Sequence, residues 1–250
     1  KVRVAVLGYG HLGKWHCDKA AAHSDVADFV AIVEKFPAGQ EAARAKHPNV
    51  KVVSDIDEVM NEIDAAVIVT PTSTHFELVS KLLKDGKLKS VFLNVHIKSK
   101  LDLNRNDFQG RGRRIAEINA LIDIYQSFSR QNIPVFIGGD FNGHAGADAC
   151  EEEFRAIHET DLIDISAYAN IPPEDRFSYV YFNKGGQRYP QVIDYLFVSQ
   201  KYLHLIKKEE CYFPRYKTKE GSLIPIPTRY EHKNFLPSDH YPFLVTLNDF

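Results

Sequence analysis

Short apolar runs separated by helical stretches open the chain: VRVAVLG, VADFVAIVE, VKVVS and DAAVIVT succeed one another before Thr70. Apolar runs of strand length bounded by turn signals read as buried strands. The intervening AGQEAARAKH and HFELVSKLLKDG carry helix formers and read as helices, the second with Ser73 or Thr74 placed to cap it and Gly86 to end it. This alternation is the rhythm of a parallel βα sheet.

The pattern changes near residues 87–91. SVFLNVHIKS reads as a strand, KLDLNRNDFQGRG as an Asn- and Gly-rich loop, and RRIAEINALIDIYQSF as a helix with Ile115, Ile118, Ile122, Tyr125 and Phe128 on one face. PVFIGGD then reads as another buried strand, EEEFRAIHET as helical, and FSYVYFNKGGQRYPQVIDYLFVS as an antiparallel hairpin turning at Lys-Gly-Gly-Gln. The segment from Cys211 to Phe235, rich in Pro, Lys and Tyr, reads as a long surface loop before a last strand, HYPFLVTL. The expected fold class is therefore α/β: a Rossmann-like parallel βα segment over residues 1–88, joined to a mixed-sheet segment over residues 89–250.

A hydrophobic content of 44% is enough for a substantial core. The 31 basic and 33 acidic side chains leave a net charge of -2, so no global positive field holds a polyanion and nucleic acid would need a local basic groove. Cys17, Cys150 and Cys211 are dispersed and odd in number, which argues against a disulfide framework or structural zinc and fits a reducing, cytoplasmic setting. No apolar run approaches the roughly 18 residues of a membrane helix.

Gly8, Gly10 and Gly13 form G-x-G-x-x-G between an apolar strand and a helix, the context in which this short pattern carries weight. The first glycine makes the tight turn, the second lets the backbone approach a pyrophosphate, and the third permits close helix–strand packing. Free N–H groups at the helix start, on His11 and Leu12, favour an anion. Glu34 ends the next strand, where a carboxylate accepts from ribose hydroxyls and repels a 2′-phosphate, favouring NAD over NADP.

VAVLGYGHLGKWH, the Glu34 strand and VIVTPTSTHFELVSKLLKDGK together resemble the nucleotide-binding domain of the Gfo/Idh/MocA oxidoreductases. The resemblance implies NAD(H) as cofactor and adds Thr70 and Pro71 to its binding site. In that family the next strand runs VFxEKP and its lysine serves proton transfer at the substrate carbon. Here Asn94, Val95 and His96 stand in place of Glu, Lys and Pro, and the large substrate domain has no counterpart.

The rear segment aims polar side chains from strand ends. Asp140 and Asn142 in GGDFN lie just beyond a buried strand and point the same way if the chain stays extended, a carboxylate to orient water or metal beside an amide for a phosphate oxygen. Asp194 sits inside the apolar run VIDYLFVS and needs a partner, for which histidine is suited. Asp239 and His240 place a hard oxygen ligand for Mg²⁺ beside a candidate general base. A strand histidine such as His96 is, taken alone, more often a hydrogen-bonded structural residue than a catalyst.

NVHIKSK, GGDFN, VIDYLFVS and LPSDHYPF, in this order, resemble the C-terminal half of the endonuclease/exonuclease/phosphatase superfamily, a DNase-like α/β sandwich. The resemblance implies that Asp194 pairs with His240, Asp140 orients the attacking water, Asn142 and His96 contact phosphate, and Asp239 helps hold Mg²⁺ or Mn²⁺. The family's early Asn and Glu metal ligands have no counterpart here, so the site is expected to be impaired.

Three readings stay open, of which the sequence favours the first. The chain is an Mg²⁺-dependent phosphoester or phosphodiester hydrolase acting on a phosphorylated small molecule or nucleic acid, an NAD(P)-binding module without dehydrogenase chemistry, or an inactive natural or engineered chimera. Loss of a partner sheet would also leave apolar surface that self-association could cover.

Overall fold

Aliphatic runs that read as front strands form β1 (Val2–Leu7), β2 (Ala27–Val33), β3 (Lys51–Val53) and β4 (Ala65–Ile68), alternating with α1 (His11–Ala22), α2 (Pro37–Lys46) and α3 (His75–Lys84). The protein is seen as a computed structural model that describes residues 1–84, 90–101 and 106–248. It divides into two units, Lys1–Leu88 and Lys89–Phe250.

In the first unit all strand pairs are parallel, in the order β3-β2-β1-β4. Alternate residues of β1 and β2 face opposite sides. Ala5, Leu7, Ala31 and Val33 pack with Val53, Ile56 and Leu82, whereas Val6 and Ile32 pack with Tyr9, Cys17 and Ala43. A sheet buried on both faces has no polar side to show, which is why its strands are continuous apolar runs. Each fully buried aliphatic side chain contributes about 1.5–3 kcal/mol. Pro37 starts α2, where its missing N–H costs nothing. Before α3, Thr72–Thr74 form a tight 3₁₀ turn, and the Thr74 hydroxyl donates to the Pro71 carbonyl at 2.8 Å. Gly86 lies outside the described residues.

The second unit contains β5 (Val91–His96), α4 (Arg111–Ser129), β6 (Val135–Asp140), α5 (Arg155–His158), β7 (Leu162–Asp164), α6 (Ile165–Tyr168), β8 (Tyr179–Phe182), β9 (Arg188–Gln191) and β10 (Asp194–Ser199). Its sheet has the order β5-β6-β10-β7, parallel between β5 and β6 and antiparallel elsewhere. The fold is thus α/β, with one parallel Rossmann-like sheet and one mixed sheet. β8 and β9 form a separate two-stranded ribbon whose turn is organised by the Asn183 side chain, which accepts from the Gly185 and Gln187 amides at 2.9 Å.

The α4 face and the last strand differ from expectation. The buried face of α4 is Arg114, Ile118, Leu121, Ile122, Tyr125 and Phe128, while Ile115 is on the exposed side. The segment 211–235 is a mostly exposed loop, as expected, but it is anchored at its start, where Cys211 and Phe213 are buried and the Phe213 and Phe243 rings stack with centroids 4.6 Å apart. HYPFLVTL is not a continuous strand: it makes single bridges, Tyr179↔His240, Tyr212↔Leu244 and Ile206↔Leu247. Pro242 and Pro214 lack the N–H a ladder needs at this place, so pairing stays intermittent. Among the described residues, no helix is long and apolar enough to cross a membrane.

Candidate functional site

In the first unit the polypeptide leaves β1 through Gly8 at φ 99°, with the Gly8 amide donating to the Val33 carbonyl at 2.8 Å. A Cβ on Gly8 would stand 3.0 Å from the Val69 carbonyl oxygen, and one on Gly13 only 2.0 Å from the Gly8 oxygen. Both positions therefore require glycine. Gly10 differs, since a Cβ there meets nothing within 4 Å. The open space lies at the N-terminus of α1, whose N-cap Gly10 provides no side-chain hydrogen bond. His11 and Leu12 are exposed in this uncapped first turn. Uncapped N–H groups beside open space fit the pyrophosphate of a dinucleotide.

Glu34 has a different posture from the one expected. Its Oε2 accepts from the Tyr9 amide at 2.7 Å and its Oε1 from the Phe36 amide at 2.9 Å, leaving the residue 9% exposed. The carboxylate braces the glycine turn, and each oxygen keeps one lone pair for a ribose hydroxyl. The Thr70 carbonyl contacts His75 Nε2 at 2.7 Å, and the Thr70 and Thr74 hydroxyls lie 2.7 Å apart. Exposed Pro71 follows.

In the second unit, register assembles the polar residues. Asp140 lies opposite His96 on β5 and opposite Asp194 on β10, so the three form one row across the strand ends. The bridge Tyr179↔His240 then brings in the histidine, whose Nδ1 lies 2.8 Å from Asp194 Oδ2. Asp140, Asp194 and His240 offer ligand atoms within 4.8 Å of one another. The hydrogen bond to Asp194 raises the His240 pKa above the ordinary value of 6.5, with Asp140 adding to the effect. Burial raises the Asp140 carboxyl, and the nearby Asp194 charge works in the same direction.

Asn142 is not extended. It takes a left-handed conformation at φ 52°, its amide donating to Asp140 Oδ1 at 2.7 Å and its Nδ2 to the Ile97 carbonyl at 2.9 Å. The pair Asp140–Asn142 thereby closes on itself in a local turn. His96 Nε2 stands 3.7 Å from Asp140 Oδ2 with a largely exposed ring. Asp239 is not a member of the carboxylate–histidine trio: it faces Lys233 Nζ at 3.8 Å and is half exposed.

Buried Ser178 is a residue that sequence reasoning missed. Its hydroxyl accepts from the Ile193 and Asp194 amides at 3.0 and 2.9 Å, and its carbonyl accepts from the Tyr241 amide, tying Asp194 to the His240 segment. Tyr179 was also missed; its ring centroid lies 5.1 Å from that of His240. Neither residue carries a motif signal, because each acts through contacts between distant segments.

Residues 2–94 match the profile of the Gfo/Idh/MocA group, described as an oxidoreductase family with an NAD-binding Rossmann fold. The chain is 37% identical over 86 residues to an inositol 2-dehydrogenase of Rhizobium meliloti (strain 1021), covering 34% of this chain and 26% of that protein. It is 27% identical over 138 residues to a scyllo-inositol 2-dehydrogenase (NAD(+)) of Bacillus subtilis (strain 168), covering 54% and 38%. A crystal structure of scyllo-inositol dehydrogenase from Lactobacillus casei, with bound NAD(H) and scyllo-inositol, aligns over 55% of this chain and 36% of its own, at 22% identity and a TM-score of 0.37. The chain spans about a quarter of the length of the first of these curated relatives. The N-terminal segment is thus of the NAD-binding Rossmann type found in these oxidoreductases.

Proposed function

We propose that the first unit binds NAD(H) as a module without hydride-transfer chemistry of its own. The observation that carries this reading is the uncapped start of α1 beside the open space at Gly10, in a segment matching an NAD-binding family. Pyrophosphate would accept from the first-turn N–H groups, and Glu34 would meet the adenosine ribose and disfavour a 2′-phosphate. Asn94, Val95 and His96 supply no lysine where the family resemblance calls for one.

Trp15 is the one tryptophan of the chain and sits on α1, 62% exposed. NADH titration should therefore quench its emission saturably. Gly10→Val places a side chain in the open space without a clash, and should leave the melting temperature unchanged while weakening binding at least about 10-fold, a loss of about 1.4 kcal/mol. Equal affinity in the variant, or no saturable binding by wild type, overturns the proposal.

A second reading is favoured by the Asp194–His240 hydrogen bond beside Asp140. On this reading the second unit carries a metal-dependent phosphoester hydrolase-type site for a phosphorylated small molecule or nucleic acid. Asp194 holds His240 in the tautomer that donates from Nδ1, leaving Nε2 to exchange a proton with a reacting group. Asp140 orients water, with Asn142 and His96 nearest to a phosphate. A hard cation that takes about six oxygens would draw most of its ligands from water here, so Mg²⁺ or Mn²⁺ should bind weakly.

The test is hydrolysis of bis(4-nitrophenyl) phosphate with Mn²⁺ or Mg²⁺. Turnover abolished by EDTA and lowered about 10²- to 10⁴-fold by His240→Ala is expected. Absence of turnover in folded wild-type protein rejects this second reading.

A further inference from the structure

A fully buried arginine on the helix behind the second-unit site serves neither a surface ion pair nor the aliphatic core. Arg114 belongs to α4 and has no exposed surface. Its Nη1 donates to the Asn142 carbonyl at 3.0 Å, while its Nη2 lies 2.9 Å from Glu151 Oε2 and 2.7 Å from Glu153 Oε1. The guanidinium carbon stands 4.9 Å from the Phe154 ring centroid. One planar fork thus holds two carboxylates, an aromatic face and a single main-chain carbonyl, a combination that suits guanidinium and no other side chain.

The carbonyl it holds is the informative one. Asn142 sits at φ 52°, outside the conformations a side chain ordinarily prefers, and its amide and side chain fix both oxygens of Asp140. A strained turn persists only where its surroundings over-determine it. The next residue, Gly143, shows how tightly this is done: a Cβ there would stand 2.5 Å from Arg114 Nη2 and 2.9 Å from Glu151 Oε2. Glu151 extends the brace, since its Oε1 accepts from Lys100 Nζ at 2.5 Å and from the His144 amide at 3.3 Å. The brace therefore clamps the turn from the helix on one side and from the 144–151 loop on the other.

We propose that Arg114 is a positioning residue, acting through the Asn142 carbonyl to hold Asp140 and Asn142 in register with the Asp194–His240 pair. This deepens the hydrolytic reading of the second unit and rests on it. Arg114 does not touch the reacting groups. Its loss should lower turnover by letting the turn relax from left-handed geometry, with little effect on the Asp194–His240 hydrogen bond.

The experiment compares Arg114→Lys, Arg114→Met and Gly143→Ala in the full chain, each first shown to be folded by circular dichroism. Lys keeps the charge but not the fork, and the alanine methyl displaces the fork while leaving the charge in place. With bis(4-nitrophenyl) phosphate and Mn²⁺, kcat should fall about 10²-fold in Arg114→Met and at least about 10-fold in the other two, more than any rise in KM, with the acid limb of the pH–rate profile unmoved. Wild-type kcat in a folded Arg114 variant overturns the proposal, as does a change confined to KM. If wild type shows no turnover, the hydrolytic reading fails by itself, and the positioning claim is judged by NMR. The Asn142 side-chain amide protons should exchange with water at least about 10-fold faster in Arg114→Met and Gly143→Ala, and unchanged exchange overturns it.

Discussion

A histidine shut between two aromatic rings has reason to stay uncharged. His47 is buried edge-on to Tyr9 and Phe29, with ring centroids 6.0 and 5.8 Å away, and its Nε2 has no hydrogen-bond partner among the described residues. Asp18 Oδ1, at 3.6 Å, is the nearby acid, but Asp18 already pairs with Lys46. Burial lowers the His47 pKa, with Asp18 opposing and Lys46 reinforcing. A folded pKa below the unfolded value means that the unfolded chain takes up the proton first as pH falls. Stability is thus intact above about pH 6.5 and declines as pH drops toward the folded value. Wild type should lose more stability than His47→Phe between pH 7.5 and 5, read as the urea midpoint, and equal losses would discard the account. His240 has the opposite sign: its raised pKa makes the Asp194 contact contribute below the unfolded value and fade as pH climbs through the folded one.

At the scale of elements, what could be read in the sequence divides by the distance over which the cause acts. The front strands and the Gly8–Gly13 turn were legible because a doubly covered sheet writes itself as uninterrupted apolar runs and because glycine geometry is local. The buried face of α4 was read one position off. Stepping back four residues from Ile118 reaches Arg114, whereas apolar character alone selects Ile115, rotated by about 100° from it. The side chain that looked polar was the buried one, and its partners Glu151 and Glu153 lie some 40 residues away where no periodicity announces them. Asp239 and His240 illustrate a second limit. Neighbours in sequence were expected to share a site, yet successive side chains of an extended segment face opposite ways, so His240 meets Asp194 while Asp239 meets Lys233. Asn142 shows a third, since asparagine tolerates its left-handed turn locally but the Arg114 fork that holds its carbonyl comes from 28 residues away.

For the whole molecule, the two units each bury a core of their own, and the two proposed chemistries belong to different units. The sheet of the second unit begins at β5, which hydrogen-bonds to β6 on one side and has no ladder on the other among the described residues. VFLNVH contains neither proline nor lysine, and Phe92, stacked on Phe136 at 4.7 Å, keeps 60% of its surface in water. An edge of this kind is a template for a strand from another molecule. At high concentration the protein should therefore polymerise with a nucleation lag into thioflavin-positive fibrils. Phe92→Lys, which puts a charge on that edge, should lengthen the lag severalfold even though it gives up the stack on Phe136, and an unaltered lag would acquit β5. Storage life, and not catalysis alone, then depends on β5, one of the two strands at the margins of its sheet.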